Sequence, residues 1–245
     1  MALTRATSVW AYGSFARGDA DAYSDIDILV AGDGAGWRDA VAADAELALL
    51  MQDGHQLSPM QFSWEELEAM CEYGSLFLHH VRFEGRPITR MVNDPLAELL
   101  AALPPYRRAT QEMQAFTIVL RDVEESLSGD HSPKFELAVI ATALRHAFIL
   151  GCYVTGQPDF GRTTPFRRLM PELQMAAQTT ADLEQLYKFR LYQHDRALAP
   201  FDATTDDVRE WLHVADTLFD GIRRRVDDFD RALPQPSSCG SRVGV

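Results

Sequence analysis

The apolar positions of this chain fall into two textures. In the first third they come as short runs: Val9-Trp10-Ala11-Tyr12, then Ile26, Ile28, Leu29 and Val30, then residues 56–62. Runs of this length, bounded by Gly, Ser, Asp and Pro, predict short strands. Helices are predicted between and after them: one following Ser14, one over residues 37–51, one opening at Trp64, and a last one over 78–83 that leads into a turn at Glu84-Gly85-Arg86-Pro87-Ile88. Ser63 and Glu66 have the spacing of a capping box at the start of the third. After Asp94-Pro95 the strand signals stop. Apolar residues then recur every three or four positions over 112–127, from Pro133 toward Gly151, over 182–198 and over 206–231, the pattern of helices packed on one another. Ser132-Pro133 supplies an N-cap followed by Pro at the first helical position. From Leu233 onward the chain is rich in Pro, Ser and Gly and predicts a mobile tail. The expected architecture is an α+β domain with a small mixed sheet over residues 1–92, an all-α helical bundle domain over 93–232 and a flexible tail over 233–245.

Composition narrows the functional classes. With 47% hydrophobic residues, 245 residues suffice for one large or two modest cores. No run is expected to be long and apolar enough to span a bilayer, and Met1-Ala2-Leu3-Thr4-Arg5 lacks the apolar core of a secretory leader. Cys71, Cys152 and Cys239 are scattered without ligand spacing. They read as reduced thiols of a cytoplasmic protein with no zinc site. A formal charge of −13 argues against extended nucleic-acid contacts, which call for a basic face. It suits a cationic acceptor drawn into a negative cleft.

The chemistry concentrates between Gly13 and Val30. Successive strand side chains alternate faces, so Asp25 and Asp27 share one face while Ile26, Ile28 and Val30 share the other. Two carboxylates that close repel unless a cation lies between them. Oxygen-only ligands favour Mg²⁺, which completes its shell with substrate phosphates. Gly13 allows close backbone approach to a phosphate, and Ser14 offers a hydroxyl and an amide at the start of a helix, whose N-terminus favours anions. Arg17 either holds a phosphate or pairs with Asp19 or Asp21.

Gly-Ser, a ten-residue spacer containing Arg17-Gly18 and ending in Ser24, then Asp25-Ile26-Asp27, resembles the signature of the DNA polymerase β-type nucleotidyltransferase superfamily, nearest to its minimal and antibiotic-modifying members. The resemblance implies catalytic, metal-binding roles for Asp25 and Asp27, with two Mg²⁺ ions, and nucleotide binding by Gly13, Ser14, Arg17 and Ser24. The implied reaction is attack of an acceptor hydroxyl on the α-phosphorus of an NTP, ATP by family expectation, releasing pyrophosphate. Glu84-Gly85-Arg86-Pro87-Ile88 resembles the segment that closes such domains, so the likeness reaches about residue 90. One feature departs from it. The family often places a third carboxylate on a neighbouring strand, and Ser58 stands there instead. Asp53, Glu65 and Glu84 are close in sequence, and none is singled out for the role.

The helical part is similar to the C-terminal domain of aminoglycoside nucleotidyltransferases and to HEPN domains, the latter through Leu144-Arg145-His146, Tyr153-Val154-Thr155-Gly156 and Phe160-Gly161-Arg162. Active HEPN ribonucleases carry Arg, four to six residues, then His. Here Arg190 and His194 have three between them and Arg145 and His146 are adjacent, so ribonuclease activity is not expected. Tyr187, Arg190, Tyr192, His194 and Arg196 fall on one predicted helix, with Arg190 and His194 on a shared face. They suit either a nucleotide contact across the interdomain cleft or, more commonly, a helix with snorkelling arginines and buried aromatics. Arg162, Arg167 and Arg168 are either a phosphate clamp or a solvated basic turn. The leading expectation is NMP transfer to a small-molecule hydroxyl such as that of an aminoglycoside-like antibiotic. The alternatives are transfer to a protein or tRNA in a toxin–antitoxin-type system, and a catalytically impaired nucleotide-binding module, for which Ser58 is the support. Homodimers occur in the family.

Overall fold

The computed structural model describes residues 6–21, 24–174, 177–194 and 198–234. Cys239, Arg196 and most of the expected tail lie outside them. β1 (Ser8–Tyr12) and β2 (Ile26–Ala31) pair antiparallel, with Trp10 opposite Leu29 and Tyr12 opposite Asp27. β3 (Leu57–Phe62) runs parallel to β2. β4 (Arg86–Pro87) pairs antiparallel with β1, giving the order β3-β2-β1-β4. The sequence predicts only a turn at β4, because two residues carry no periodicity and Pro reads as a breaker. At an edge, Pro is tolerated.

Alternation along the strands sorts the side chains as expected. Val9, Ala11, Ile26, Ile28 and Val30 bury one face against Phe15, Val41 and Leu47. Trp10, Tyr12, Leu29 and Ala31 bury the other against Leu67, Leu78 and Val81. Each such side chain contributes about 1.5–3 kcal/mol when fully buried. Those partners come from α1 (Gly13–Arg17), α2 (Trp37–Ala43) and α3 (Ala45–Gln52) on the first face, and from α4 (Trp64–Glu72) and α5 (Leu76–Glu84) on the second. The single helix predicted over 37–51 is in fact α2 and α3. Asp44 takes an extended ψ of 114° and accepts the Leu47 amide at 3.1 Å, so its side chain ends one helix and caps the next. The capping box at Ser63 forms as read.

α6 (Pro95–Ala101) follows the change of texture, yet Leu96, Leu100 and Leu103 pack with the sheet side. Asp94 explains the attachment. Its buried carboxylate accepts from Ser8 Oγ at 2.6 Å, from the Trp10 indole at 2.8 Å and from the Leu96 amide at 2.9 Å. One side chain thereby caps α6 and ties it to β1.

The remaining described elements are helices: α7 (Ala109–Ser126), α8 (Pro133–Val154), α9 (Thr164–Leu169) with a 3-10 turn (Met170–Leu173), α10 (Ala177–Gln193) and α11 (Thr205–Ala232). α7, α10 and α11 all pack on α8, burying Leu144 and Phe148 among Phe189, Phe219 and Ile222. Contrary to the sequence expectation, α8 is long and apolar enough by length and composition to cross a bilayer, but 67% of its apolar stretch is buried inside the fold. Packing on several sides makes its composition apolar nearly all round. The helix predicted over 182–198 starts earlier and ends at Gln193. Exposed His194 therefore lies one residue beyond the helix that carries Arg190.

Candidate functional site

The two acidic residues of the motif sit where β2 leaves its loop. Asp27 is the second residue of β2, half-buried, between Tyr12 of β1 and Ser58 of β3. Asp25 immediately precedes the strand, and alternation directs both to the face that also carries Tyr12. Gly13 is shaped by this carboxylate. It has a φ of +73°, and a Cβ built on it would collide with Asp27 Oδ2. Glycine is required twice over, for the left-handed backbone and for the room. Ser14 follows as the second residue of α1, so the Gly-Ser turn and Asp27 are in direct contact, as the motif implies.

Tyr12 is affected by the same neighbourhood. Burial, and then the Asp27 charge, push its hydroxyl well above the ordinary tyrosine range, and the group donates to Met60 Sδ at 3.2 Å. In β3, Ser58 is the residue in register with Asp27, and the strand Leu-Ser-Pro-Met-Gln-Phe contains no acid. The position expected to hold a third carboxylate is thus beside the site in space as well as in sequence. Among the described residues no group of three or more His, Cys, Asp or Glu side chains gathers to hold a metal. Asp25 and Asp27 are nonetheless a fitting donor set for a divalent cation whose remaining ligands are water and substrate phosphates.

Ser24 and Arg17 are both occupied by neighbours. Ser24 is buried; its hydroxyl donates to Asp21 Oδ1 at 2.9 Å and accepts from the Asp21 amide at 3.0 Å. Its carbonyl contacts His55 Nδ1 at 2.8 Å. These bonds shape the loop that delivers Asp25. Arg17 pairs with Glu84 at 2.5 Å and with Asp19 at 3.2 Å, the pairing alternative in part, whereas Asp21 pairs with Arg162.

The structure also brings together residues that lie outside the Gly-Ser and aspartate motif. His80 of α5 bonds Glu84 through Nε2 at 2.8 Å. Its ring packs edge-on against Tyr12 at 5.3 Å and stacks on Phe160 at 4.6 Å. Phe160 belongs to the loop after α8, and two residues later Arg162 reaches Asp21 at 2.5 Å and Ser24 Oγ at 3.4 Å. The helical half therefore closes over the motif along a short loop. The four-residue spacing of His80 and Glu84 was the available sequence signal; Phe160 stood in the Phe160-Gly161-Arg162 segment of the HEPN likeness, but nothing in the sequence announced its contact with His80. Behind the loop, Arg145 donates to the carbonyls of Phe160 at 3.1 Å and Gly161 at 3.2 Å. His146 beside it is pushed down to about 4, by burial first and then by the charges of Arg145 and Arg190. It is held neutral at ordinary pH.

Other candidates resolve into ordinary structure. Arg167 pairs with Glu184 and Arg168 with Asp159. Cys71 and Cys152 are free thiols, and burial pushes Cys152 up to about 12, which makes it a poor nucleophile. No curated protein matches the chain. Residues 3–65, which run from before β1 through β3 to the first turn of α4 and include the Gly-Ser turn and both aspartates, match the family model of the nucleotidyltransferase domain.

Proposed function

We propose that the protein is a Mg²⁺-dependent nucleotidyltransferase that moves an NMP, from ATP by family expectation, to a hydroxyl of a small acceptor lying between the sheet and the helical half. The observation that carries this reading is the contact between Gly13 and the Asp27 carboxylate inside a segment that matches the nucleotidyltransferase domain. Asp25 and Asp27 would hold the metal, and Gly13 and Ser14 would lie against the triphosphate. When bound, a divalent cation neutralises phosphate charge and stabilises an in-line displacement. The chain's own contribution is positioning: β1 and β2 fix the two carboxylates, Ser24 fixes the loop before them, and the Phe160–His80 stack sets the helical half above them. The net charge of −13 supports a cationic acceptor such as an aminoglycoside-like antibiotic, in a helical bundle domain like that of the aminoglycoside-modifying enzymes. It gives less support to tRNA.

Label transfer from an α-labelled NTP to a panel of hydroxyl acceptors tests the proposal. Asp25→Ala with Asp27→Ala should reduce transfer at least a thousandfold, and transfer that survives in this double variant would refute it. The register of Ser58 with Asp27 supports one second reading, a nucleotide-binding module with an impaired centre. Tight Mg²⁺–NTP binding without turnover on any acceptor, together with turnover gained in Ser58→Asp, would favour that reading.

A further inference from the structure

α10 and α11 both pack on α8 but make little contact with each other. The space between them is a cleft of about 550 Å³, within the range of small-molecule sites. Helical spacing builds its walls. Asp182 and Leu186, one turn apart, come from α10, and Glu210, Trp211 and Val214 come from α11. Phe201, from the segment between the two helices, adds a second aromatic ring. Its position is set by Phe189, which meets it edge-on at 4.9 Å. None of these residues belongs to the Gly-Ser turn, the aspartate strand or the Phe160 loop, so the cleft is separate from the site described above.

The lining has a definite chemistry. Buried Leu186 and half-buried Val214 give an apolar floor. Asp182 and Glu210 are exposed and stand at the mouth, one on each helix. Among the described residues no Lys, Arg or His lines the cleft. Neither acid has an ion-pair partner there, although Glu184 and Asp206 on the same two helices pair with Arg167 and Arg209. A groove of about 610 Å³ on the α7 side of α11 differs. Arg121, Arg209 and His213 stand there beside Glu124 and Asp216, so the charges offset one another. The α10 side instead sets charge of a single sign beside two aromatic rings.

Aromatic faces attract cations through their ring quadrupoles, Trp most strongly, and carboxylates at the mouth add Coulombic attraction. The apolar floor rewards a hydrocarbon body. We propose that this cleft binds a small organic cation, an ammonium group carried on an apolar body, with Trp211 and Phe201 against the ammonium and Asp182 and Glu210 as its counter-charges. The site does not rest on the nucleotidyltransferase reading, since Asp25 and Asp27 take no part in it.

Benzyltrimethylammonium, titrated into the full chain with its tryptophan indoles labelled with nitrogen-15, tests the site. Trp211→Phe assigns the Trp211 resonance, and calorimetry gives the affinities. The cation should shift that resonance and bind roughly tenfold or more tightly than benzyl alcohol, which carries a similar ring without the charge. Asp182→Asn with Glu210→Gln, at two exposed positions, should weaken binding roughly fivefold. Asp216→Asn with Asp227→Asn removes the same charge elsewhere on α11 and should change affinity less than about twofold. An equal loss in the two double variants would show attraction to net charge alone and overturn the proposal. Trp211→Leu should weaken binding roughly tenfold. Should it melt lower than wild type, Phe201→Leu carries the test, with a loss of roughly threefold. Binding that leaves the Trp211 resonance unmoved, or equal affinity for benzyl alcohol, also overturns the proposal. Asp25→Ala with Asp27→Ala should leave the Trp211 titration unchanged, so loss of nucleotidyl transfer and loss of cation binding report on different sites.

Discussion

The two halves of the molecule differ in how the polar groups nearest the motif are satisfied. In the sheet half the groups around the motif are satisfied internally: Glu84 receives Arg17 and His80, and Asp94 receives Ser8, Trp10 and the Leu96 amide. In the helical half, Arg145 and Arg190 keep buried donors unmet. Around the motif the polar residues of the sheet half hold shape, although His79 Nδ1 of the same half is buried without a bond. A group that finishes a network is a stability element, whereas a group left unfinished marks where binding energy is available.

The sharpest way to break this contrast is Asp94→Ala. It removes a helix cap and strands the Ser8 and Trp10 donors in the core, so a loss of about 3 kcal/mol is expected from chemical denaturation. A change under 1 kcal/mol would mean that the sheet half does not depend on its internal network. The next effect is pH-dependent. His146 is pushed down to about 4 in the folded protein, while the unfolded chain takes up a proton near 6.5. The unfolded state therefore binds more protons between these values. Stability should be flat above pH 7, fall as pH drops from about 6.5 toward 4, and level off below. At pH 5 the loss should have reached about 2 kcal/mol. Buried His79, also lowered, first by desolvation, adds in the same direction. Urea midpoints at pH 7.5 and 5 measure the drop, and His146→Gln should flatten it.

Two glycines make the smallest and finest comparison. Gly13→Ala forces a side chain into a left-handed backbone and against Asp27, for about 2 kcal/mol of lost stability and a disturbed site. Gly151→Ala in α8 would press on Leu169 and Ile222. That overpacking is partly offset by about 1 kcal/mol of better helix propensity, leaving a loss near 1 kcal/mol and no change in nucleotide affinity. Equal effects on affinity would erase the distinction between the site glycine and the core glycine.

Legibility in the sequence followed the range of the interactions. The alternation around Asp25 and Asp27, the Ser63 cap and the Ser58 position are local patterns, and each was readable because strand and cap geometry act within a few residues. The break at Asp44 was missed because one capping side chain outweighed a continuous apolar period. β4 was missed because its two residues are held by β1, far off in the chain. Phe160 meeting His80, and Arg145 meeting the loop before Arg162, depend on how two halves dock, for which no periodicity exists.

The apolar character of α8 has a consequence for how the protein is made. A stretch whose composition would suit a bilayer leaves the ribosome with only α7 ahead of it to cover one side. α10 comes later, and α11, which brings Phe219 and Ile222 to it, later still. For the time needed to synthesise nearly seventy further residues, from Val154 to Ile222, the surface of this apolar helix is only part-covered. That interval is when off-pathway association competes with folding. The last described helix thus acts as the closing step of a vectorial assembly, and its completion separates a covered core from a sticky intermediate.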